Sequence, residues 1–242
     1  MFPNFDGCPI DLERFSCVEG VFDCVYNPFR TELILKAQEM NIKSIGGLAM
    51  LVAQALKAQE IWMGKIFSSI EFEQVYKFLI QKHGNIVLIG MPSAGKSTIG
   101  KLICKEIGKT FVDTDENIAL LSGKTPEQII TTDGEDCFRE IEKEVVLNCS
   151  KLSGAVIATG GGVVLKAENI KRLKKNGYIF YIERGVDKLI DDNRPLSKNG
   201  AISRLFKERA PIYESVCDKK VSNNGKIESV VKEILQSENF SY

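Results

Sequence analysis

The segment from Gly90 to Ser97 constrains the fold of this chain more than any other feature of its sequence. It consists of Gly-Met-Pro-Ser-Ala-Gly-Lys-Ser and matches the phosphate-binding pattern Gly-x-x-x-x-Gly-Lys-Ser/Thr. An apolar run at 86–89 predicts a buried strand before it, and the apolar positions of 99–107 predict a helix after it. A chance Gly/Ser turn is the alternative interpretation, but this strand–loop–helix context favours a nucleotide-binding α/β domain.

The residues of this loop have chemistry suited to the phosphates of ATP. Glycines let the backbone wrap closely around phosphate oxygens, and successive N–H groups point inward at the positive end of a helix. Lys96 is long enough to reach the β- and γ-phosphates, and the Ser97 hydroxyl can ligate Mg²⁺. Ser93 stands where such loops often carry glycine, so its φ angle must be one that serine tolerates. The predicted nucleotide-binding residues are Ser93, Ala94, Gly95, Lys96, Ser97 and Thr98.

Strands and helices alternate along the chain after the loop. The predicted strands lie at 111–112, 155–158, 178–182 and within 216–221, and the predicted helices lie around 138–145 and at 227–235. Such alternation is typical of a parallel sheet covered by helices. Because all strands of such a sheet end at one edge, we expect the ligand site at that edge.

The first part of the chain has a different organisation. A strand is predicted at 21–26, and a helix is predicted to begin after the N-cap Thr31. Two further helices are predicted, from Leu48 to Trp62 and from Phe72 to Leu79. The sequence His-Gly-Asn at 83–85 then marks a boundary, so we predict two domains, 1–82 and 83–242.

Composition and charge exclude several classes of protein. The 32 basic and 32 acidic residues balance, which argues against a general nucleic-acid binder. No apolar run is long enough for a membrane span and no signal peptide is evident, so we expect a cytoplasmic protein. The seven cysteines form no C-x-x-C pair, which favours free thiols. Cys8, Cys17 and Cys24 are interpreted as small buried apolar side chains rather than as zinc ligands.

Two aspartates, Asp113 and Asp115, follow the second strand of the later region. If both belong to that strand, their side chains face the same side, where one can serve Mg²⁺ and the other a polyol hydroxyl. The alternative is that they cap the N-terminus of a helix. Further along, Arg139, Arg194 and Arg209 are each weak signals alone, because most arginines are solvated surface charges. Arg194 lies in a polar stretch that is typical of a mobile loop.

Together these segments resemble the shikimate kinase family. The matching segments are 90–100, 111–115, 133–140, 158–162, 194–196 and 209–213, in the order in which that family has them. The resemblance implies a three-layer, nucleoside-monophosphate-kinase-like P-loop fold with a central parallel sheet and a lid that closes over ATP. It also implies an ATP-dependent phosphotransferase that forms 3-phosphoshikimate on the route to chorismate and the aromatic amino acids.

The resemblance assigns roles to residues on both sides of the transferred phosphoryl group. On the nucleotide side, Ser97 and Asp113 would hold Mg²⁺, while Lys96 and Arg194 would neutralise charge on the phosphoryl group and act as catalytic residues. The lid residues from 197 to 204 receive no assignment.

On the acceptor side, Asp115 would bind and orient the attacking hydroxyl of shikimate as a catalytic residue. Arg139 and Arg209 would bind the carboxylate of shikimate, a task suited to a planar, bidentate cation. The three glycines Gly160, Gly161 and Gly162 would line the acceptor, with the N–H of Gly161 offered to it.

Residues 1–82 resemble a different family, the C-terminal end of shikimate dehydrogenase. The resemblance rests on segments at 1–4, 8–11, 21–28 and 46–55, and it places Tyr26, Gly47 and Gln54 at positions that line the site of that family. The catalytic Lys and Asp and the glycine-rich dinucleotide loop of that family have no counterpart here. We therefore expect a mostly helical remnant without dehydrogenase activity. Its strand at 21–26 has no evident partner, so the segment is expected to self-associate, to pack on the kinase or to be poorly ordered.

Two other functions are considered. One is a different small P-loop kinase, for instance one acting on gluconate. The set of Arg139, Arg209 and the three glycines at 160–162 argues against it, because two arginines favour the carboxylate of a ring-bearing acid. The other is a nucleotide-binding regulatory module that senses shikimate. Lys96, Asp115 and Arg194 together argue for catalysis instead.

Overall fold

A computed structural model of the chain describes residues 7–190 and 201–237, and these residues form two compact units, 7–84 and 85–237. The elements of the first unit are a 3₁₀ turn at Leu12–Arg14, strand β1 at Gly20–Phe22, helix α1 at Glu32–Glu39, strand β2 at Lys43–Ile45, helix α2 at Gly47–Met63 and helix α3 at Ser69–His83. Within the described residues, none of the helices is both long enough and apolar enough to cross a membrane.

The strand predicted at 21–26 is shorter than expected, and it has a partner within its own unit. β1 pairs in parallel with β2, with Gly20 opposite Lys43 and Phe22 opposite Ile45. The expectation of an unpartnered strand was therefore wrong. β2 was missed because its three residues, Lys-Ser-Ile, carry no alternating apolar pattern.

Helix α1 begins at the N-cap that the sequence predicts. Thr31 caps α1, because its hydroxyl accepts a hydrogen bond from the N–H of Ile34. Helices α2 and α3 pack through a small core of Leu48, Val52 and Ile80, with Phe72 and Tyr76 at its edge.

The far end of α2 and the turn after it leave apolar side chains in solvent. Trp62 is 80% exposed and Ile66 is 86% exposed, and Ile61, Met63 and Ile70 are also exposed. Gln54 and Tyr26 are exposed as well, whereas Gly47 is buried. Contrary to the expectation of buried apolar thiols, Cys8, Cys17 and Cys24 are exposed; all seven cysteines are free.

The second unit is built on a five-stranded parallel sheet. Its strands are β3 (Asn85–Ile89), β4 (Thr110–Asp113), β5 (Ala155–Ala158), β6 (Gly177–Glu183) and β7 (Lys219–Ser222), arranged in the order β4-β5-β3-β6-β7. Its helices are α4 (Lys96–Ile107), α5 (Thr114–Ser122), α6 (Pro126–Thr132), α7 (Glu135–Ser150), α8 (Ala167–Asn176), α9 (Val186–Ile190), α10 (Ala201–Val216) and α11 (Ile227–Leu235). The alternation predicted from the sequence is confirmed.

The central strands are covered on both faces. Every residue of β3 and of β5 is buried, which requires helices above and below the sheet. The chain runs from β3 to one side of the sheet for β4 and β5, and then to the other side for β6 and β7. The carboxyl end of β3 is thus the point where the strand order reverses, which is where open parallel sheets bind ligands.

Candidate active site

The loop from Gly90 to Gly95 connects the carboxyl end of β3 to the N-terminus of α4. Gly90 and Gly95 have φ angles of +144° and +91°, which L-residues with side chains rarely adopt. A Cβ at Gly90 would lie 2.5 Å from the carbonyl oxygen of Ile182, so close packing against β6 also requires glycine there. Lys96 is buried, and its Nζ donates to the carbonyl oxygens of Gly90 (2.9 Å) and Met91 (2.8 Å). The lysine therefore lies across the mouth of the loop.

Two residues that the sequence did not single out hold the outer part of this loop. Ser93 has φ +63°, the strained conformation that glycine would adopt freely. Arg184 Nη1 donates to the carbonyl oxygen of Ser93 at 3.0 Å, and Asn223 Nδ2 donates to that of Ala94 at 2.8 Å. These bonds fix the loop backbone and so stabilise the conformation at Ser93. Arg184 and Asn223 follow the carboxyl ends of β6 and β7, a position that could have identified them.

The first turn of α4 lies next to the end of β4. The Ser97 hydroxyl donates to Asp113 Oδ2 at 2.7 Å, and Thr98, the next residue, is exposed. Asp113 Oδ1 also accepts from the N–H of Asp115 at 3.0 Å, so Asp113 caps α5. The interpretation of Asp113 and Asp115 as two positions of one strand was wrong, because the strand ends at Asp113 and Asp115 lies in the first turn of the helix.

This pair of oxygens fits Mg²⁺. A hydroxyl and a carboxylate are hard oxygen ligands of the kind that Mg²⁺ prefers, and Mg²⁺ commonly takes only one or two protein ligands beside phosphate and water. Ser97 Oγ and Asp113 Oδ2 are held within 2.7 Å of each other beside the loop. Both side chains are only partly buried, which leaves them accessible to an ion.

Three consecutive glycines follow β5, and each lies against a different residue of the site. A Cβ at Gly160 would lie 2.6 Å from Asp115 Oδ1, and one at Gly161 would lie 2.7 Å from Pro92. A Cβ at Gly162 would lie 2.6 Å from Arg139 Nη1. None of the three has a positive φ, so glycine is required here by close approach and not by backbone conformation.

Arg139 projects from α7 and is enclosed by two carboxylates. Its Nη1 donates to Glu142 Oε2 and its Nη2 donates to Glu135 Oε1, each at 2.9 Å. Burial by itself lowers the pKa of Arg139, but the hydrogen bonds and charges of Glu142 and Glu135 outweigh it and raise the pKa. Burial raises the pKa of Glu142, against the opposing effect of Arg139.

The segment of α10 around Arg209 reaches the same glycines. Arg209 Nη1 donates to the carbonyl oxygen of Gly161 at 3.2 Å, and the hydroxyl of Tyr213 donates to that same oxygen. Tyr213 is fully buried, and burial raises its pKa to about 12, so it stays a neutral donor at physiological pH. Arg194, the remaining predicted site residue, lies outside the described residues.

The predicted residues and Arg184 therefore converge from four strand ends. The loop after β3, Asp113 after β4, the glycines after β5 and Arg184 after β6 lie at one edge of the sheet. Arg139 and Arg209 come from helices, and the glycine contacts bring them to the same place. The arrangement provides a nucleotide phosphate loop, a pair of oxygens suited to a metal ion, a carboxylate and two cations at one edge of the sheet.

Comparison with known proteins identifies the family. The shikimate kinase family model matches residues 92–238, which is more than half of the chain. The chain belongs to the shikimate kinase family. It is therefore an ATP-dependent kinase, and its second unit has the P-loop kinase fold of that family.

Individual members of the family are similar over nearly their whole length. A shikimate kinase of Clostridium botulinum (strain Alaska E43) is 47% identical over 155 residues, which span 62% of this chain and 93% of the relative. The structure of a shikimate kinase from Acinetobacter baumannii in complex with shikimate is 30% identical, has a TM-score of 0.61 and matches 66% of this chain and 95% of its own. The shikimate kinase structure from Aquifex aeolicus is 35% identical, with a TM-score of 0.57, and matches 62% of this chain and 94% of its own.

Proposed function

We propose that this chain transfers the γ-phosphoryl group of ATP to the 3-hydroxyl of shikimate, giving 3-phosphoshikimate and ADP. The observation that carries the proposal is the set of glycine contacts, which gathers Asp115, Arg139 and Arg209 around one point beside the phosphate loop. A carboxylate next to two arginines is what an acceptor with both hydroxyls and a carboxylate requires.

On the nucleotide side, residues 93–98 bind the phosphates. The backbone N–H groups at the start of α4 face the phosphate oxygens, where the helix adds partial positive charge. Lys96 leaves the carbonyl oxygens of Gly90 and Met91 and bonds the β- and γ-phosphates. By the family resemblance, Arg194 approaches from the lid and neutralises charge on the phosphoryl group during transfer.

On the acceptor side, Asp115 orients the attacking hydroxyl and accepts its proton as the new bond forms. Its carboxylate is exposed at the edge of the sheet, where it is accessible to a polyol. Arg139 and Arg209 bind the carboxylate of the acceptor and so fix the ring relative to the loop. The bare backbone of Gly160, Gly161 and Gly162 lets the ring approach closely.

Mg²⁺ is the cofactor that we propose, held by Ser97 and by Asp113 directly or through water. When bound, the ion supplies positive charge to the β- and γ-phosphate oxygens. The hydrogen bond between Ser97 and Asp113 supports this assignment, because it holds the two oxygens 2.7 Å apart beside the phosphate loop.

A coupled assay for ADP release tests the proposal. The purified chain is incubated with ATP and Mg²⁺ in the presence of shikimate, of gluconate or of no acceptor. Of the three conditions, we expect turnover only in the one with shikimate. We also expect Asp115→Asn to lower kcat at least about 100-fold and to change the KM for ATP by no more than about two-fold. Faster turnover with gluconate would favour the alternative kinase, and tight shikimate binding without turnover would favour the regulatory module.

For the first unit we propose a remnant of the C-terminal region of shikimate dehydrogenase, in a chain divided into domains 1–82 and 83–242. The parallel pairing of β1 and β2 supports an origin in an α/β domain, because parallel strands are typical of such domains. We also propose a cytoplasmic location, which the seven free thiols support.

We further propose that this unit mediates self-association through the exposed apolar end of α2. A cluster of exposed Ile61, Trp62, Met63 and Ile66 is typical of a surface that another protein covers. Light scattering on the full chain tests this: Trp62→Lys should reduce the oligomer mass, whereas Leu120→Lys, at an equally exposed leucine of the second unit, should not. Identical masses for both variants and the unmodified chain would contradict it.

A further inference from the structure

The two carboxylates that enclose Arg139 differ sharply in their surroundings. Glu142 has a side chain only 2% exposed, whereas the side chain of Glu135 is 64% exposed. Each carboxylate accepts one hydrogen bond from Arg139, and both bonds have the same length of 2.9 Å. Glu142 is thus a fixed, buried anchor, while Glu135 reaches the guanidinium from solvent.

The contact with Glu135 can be broken at little cost. Ion pairs with an exposed partner contribute little to stability, because water solvates the released carboxylate. Glu135 is the first residue of α7, where the positive end of the helix favours a carboxylate even after it leaves Arg139. Glu142, by contrast, has no comparable access to water and keeps Nη1 in place.

An acceptor carboxylate has the same charge and the same hydrogen-bonding atoms as the side chain of Glu135. Nη2 of Arg139 is the guanidinium nitrogen bonded to the exposed carboxylate, so it is the one that an incoming carboxylate meets. Gly162 places its bare Cα against the same guanidinium, which leaves Arg139 little freedom to take a second position. Exchange of one carboxylate for another is therefore simpler than movement of the arginine.

We propose that Glu135 occupies the place of the acceptor carboxylate on Arg139 and is displaced when the acceptor binds, so that it competes with the acceptor and sets its affinity. The inference rests on the proposed function, because it takes shikimate as the acceptor. Glu135 would then determine the KM for shikimate rather than kcat, since the reacting hydroxyl is oriented by Asp115 and not by Arg139.

Steady-state kinetics of Glu135→Gln test the inference. Loss of the competing charge should lower the KM for shikimate about two- to five-fold, the range that corresponds to an exposed ion pair, and leave kcat and the KM for ATP unchanged. The KM for shikimate methyl ester, whose carboxyl is neutral, should not fall. Glu116→Gln is the matched control, because Glu116 is also 64% exposed, pairs with Lys101 and loses the same charge.

The outcomes separate this inference from the proposed function. If the unmodified chain releases no ADP with shikimate, the proposed function fails. If the unmodified chain is active but Glu135→Gln has an unchanged or higher KM for shikimate, then Glu135 only positions Arg139 and the inference alone is overturned. An equal fall in KM for Glu116→Gln or for the methyl ester overturns it too, because the effect would then be one of general charge.

Discussion

Replacement of Gly162 by Ala tests how the glycine triplet positions the acceptor-binding arginine. The new Cβ would lie 2.6 Å from Nη1 and 2.7 Å from Nη2 of Arg139, whereas an ordinary contact begins at 3.4 Å. The guanidinium must therefore move by about 0.8 Å, out of line with Glu142. Gly162 itself has φ −99°, which alanine adopts without strain, so the displaced arginine is the main effect.

The size of the effect follows from the hydrogen bond between Arg139 and the carboxylate of the acceptor, which the displaced guanidinium can no longer make well. A hydrogen bond to a charged group contributes about 1.5–3 kcal/mol, so its loss from the acceptor-bound state lowers kcat/KM for shikimate about 10- to 150-fold. The KM for ATP should change less than about two-fold, because the atoms nearest to the new Cβ all belong to Arg139 and not to the phosphate loop.

Initial rates of ADP release, with each substrate varied at saturation of the other, measure both values. Gly161→Ala is the matched control: its Cβ meets Pro92 of the loop, so it should also raise the KM for ATP. The reasoning is refuted if kcat/KM for shikimate in Gly162→Ala stays within two-fold of the unmodified chain, or if kcat/KM for ATP falls by the same factor. A thermal melt excludes simple unfolding.

Three further predictions concern other residues of the second unit. Gly160→Ala displaces the carboxylate of Asp115, so kcat should fall at least about ten-fold with little change in the KM for ATP, as steady-state kinetics would show. Ser93→Gly removes the strain of φ +63° and should raise the free energy of unfolding in urea by about 0.5–1 kcal/mol; a decrease would contradict the strain argument. Burial lowers the pKa of Lys109 to about 8 from 10.5, so the unfolded chain binds more protons between these pH values and stability from this group rises with pH across that window. In urea titrations, the free energy of unfolding of the unmodified chain should therefore rise relative to that of Lys109→Met from pH 8 to 10.5. Equal pH dependence of the two chains would contradict the prediction.

The fold of the second unit was largely predictable because its three central strands are buried on both faces. β3, β5 and β6 are continuous apolar runs, and such runs can be recognised without knowledge of their neighbours. The sheet order was not predictable in this way, since it depends on contacts between distant segments. The short strands β1 and β2 are only three residues each and lack the pattern that identifies a strand.

The site was predictable where chemistry is local in sequence. The loop from Gly90 to Ser97 carries its function in one continuous pattern, and its predicted context is confirmed. Arg184 and Asn223 were not predictable in this way, because they donate hydrogen bonds to loop residues that are 91 and 129 positions away in the sequence. The exact end of β4 was not predictable, because its last residue, Asp113, is also the N-cap of the helix that follows directly.

The exposed Trp62 at the end of α2 also gives the chain a built-in optical probe. It is the only tryptophan of the 242 residues, and it belongs to the first unit. Tryptophan emission therefore reports on residues 7–84, while kinase activity reports on the phosphate loop and the glycine triplet of the second unit. A shift of the Trp62 emission on addition of ATP or shikimate would show, without any added label, that ligand binding to the second unit changes the surroundings of Trp62 in the first.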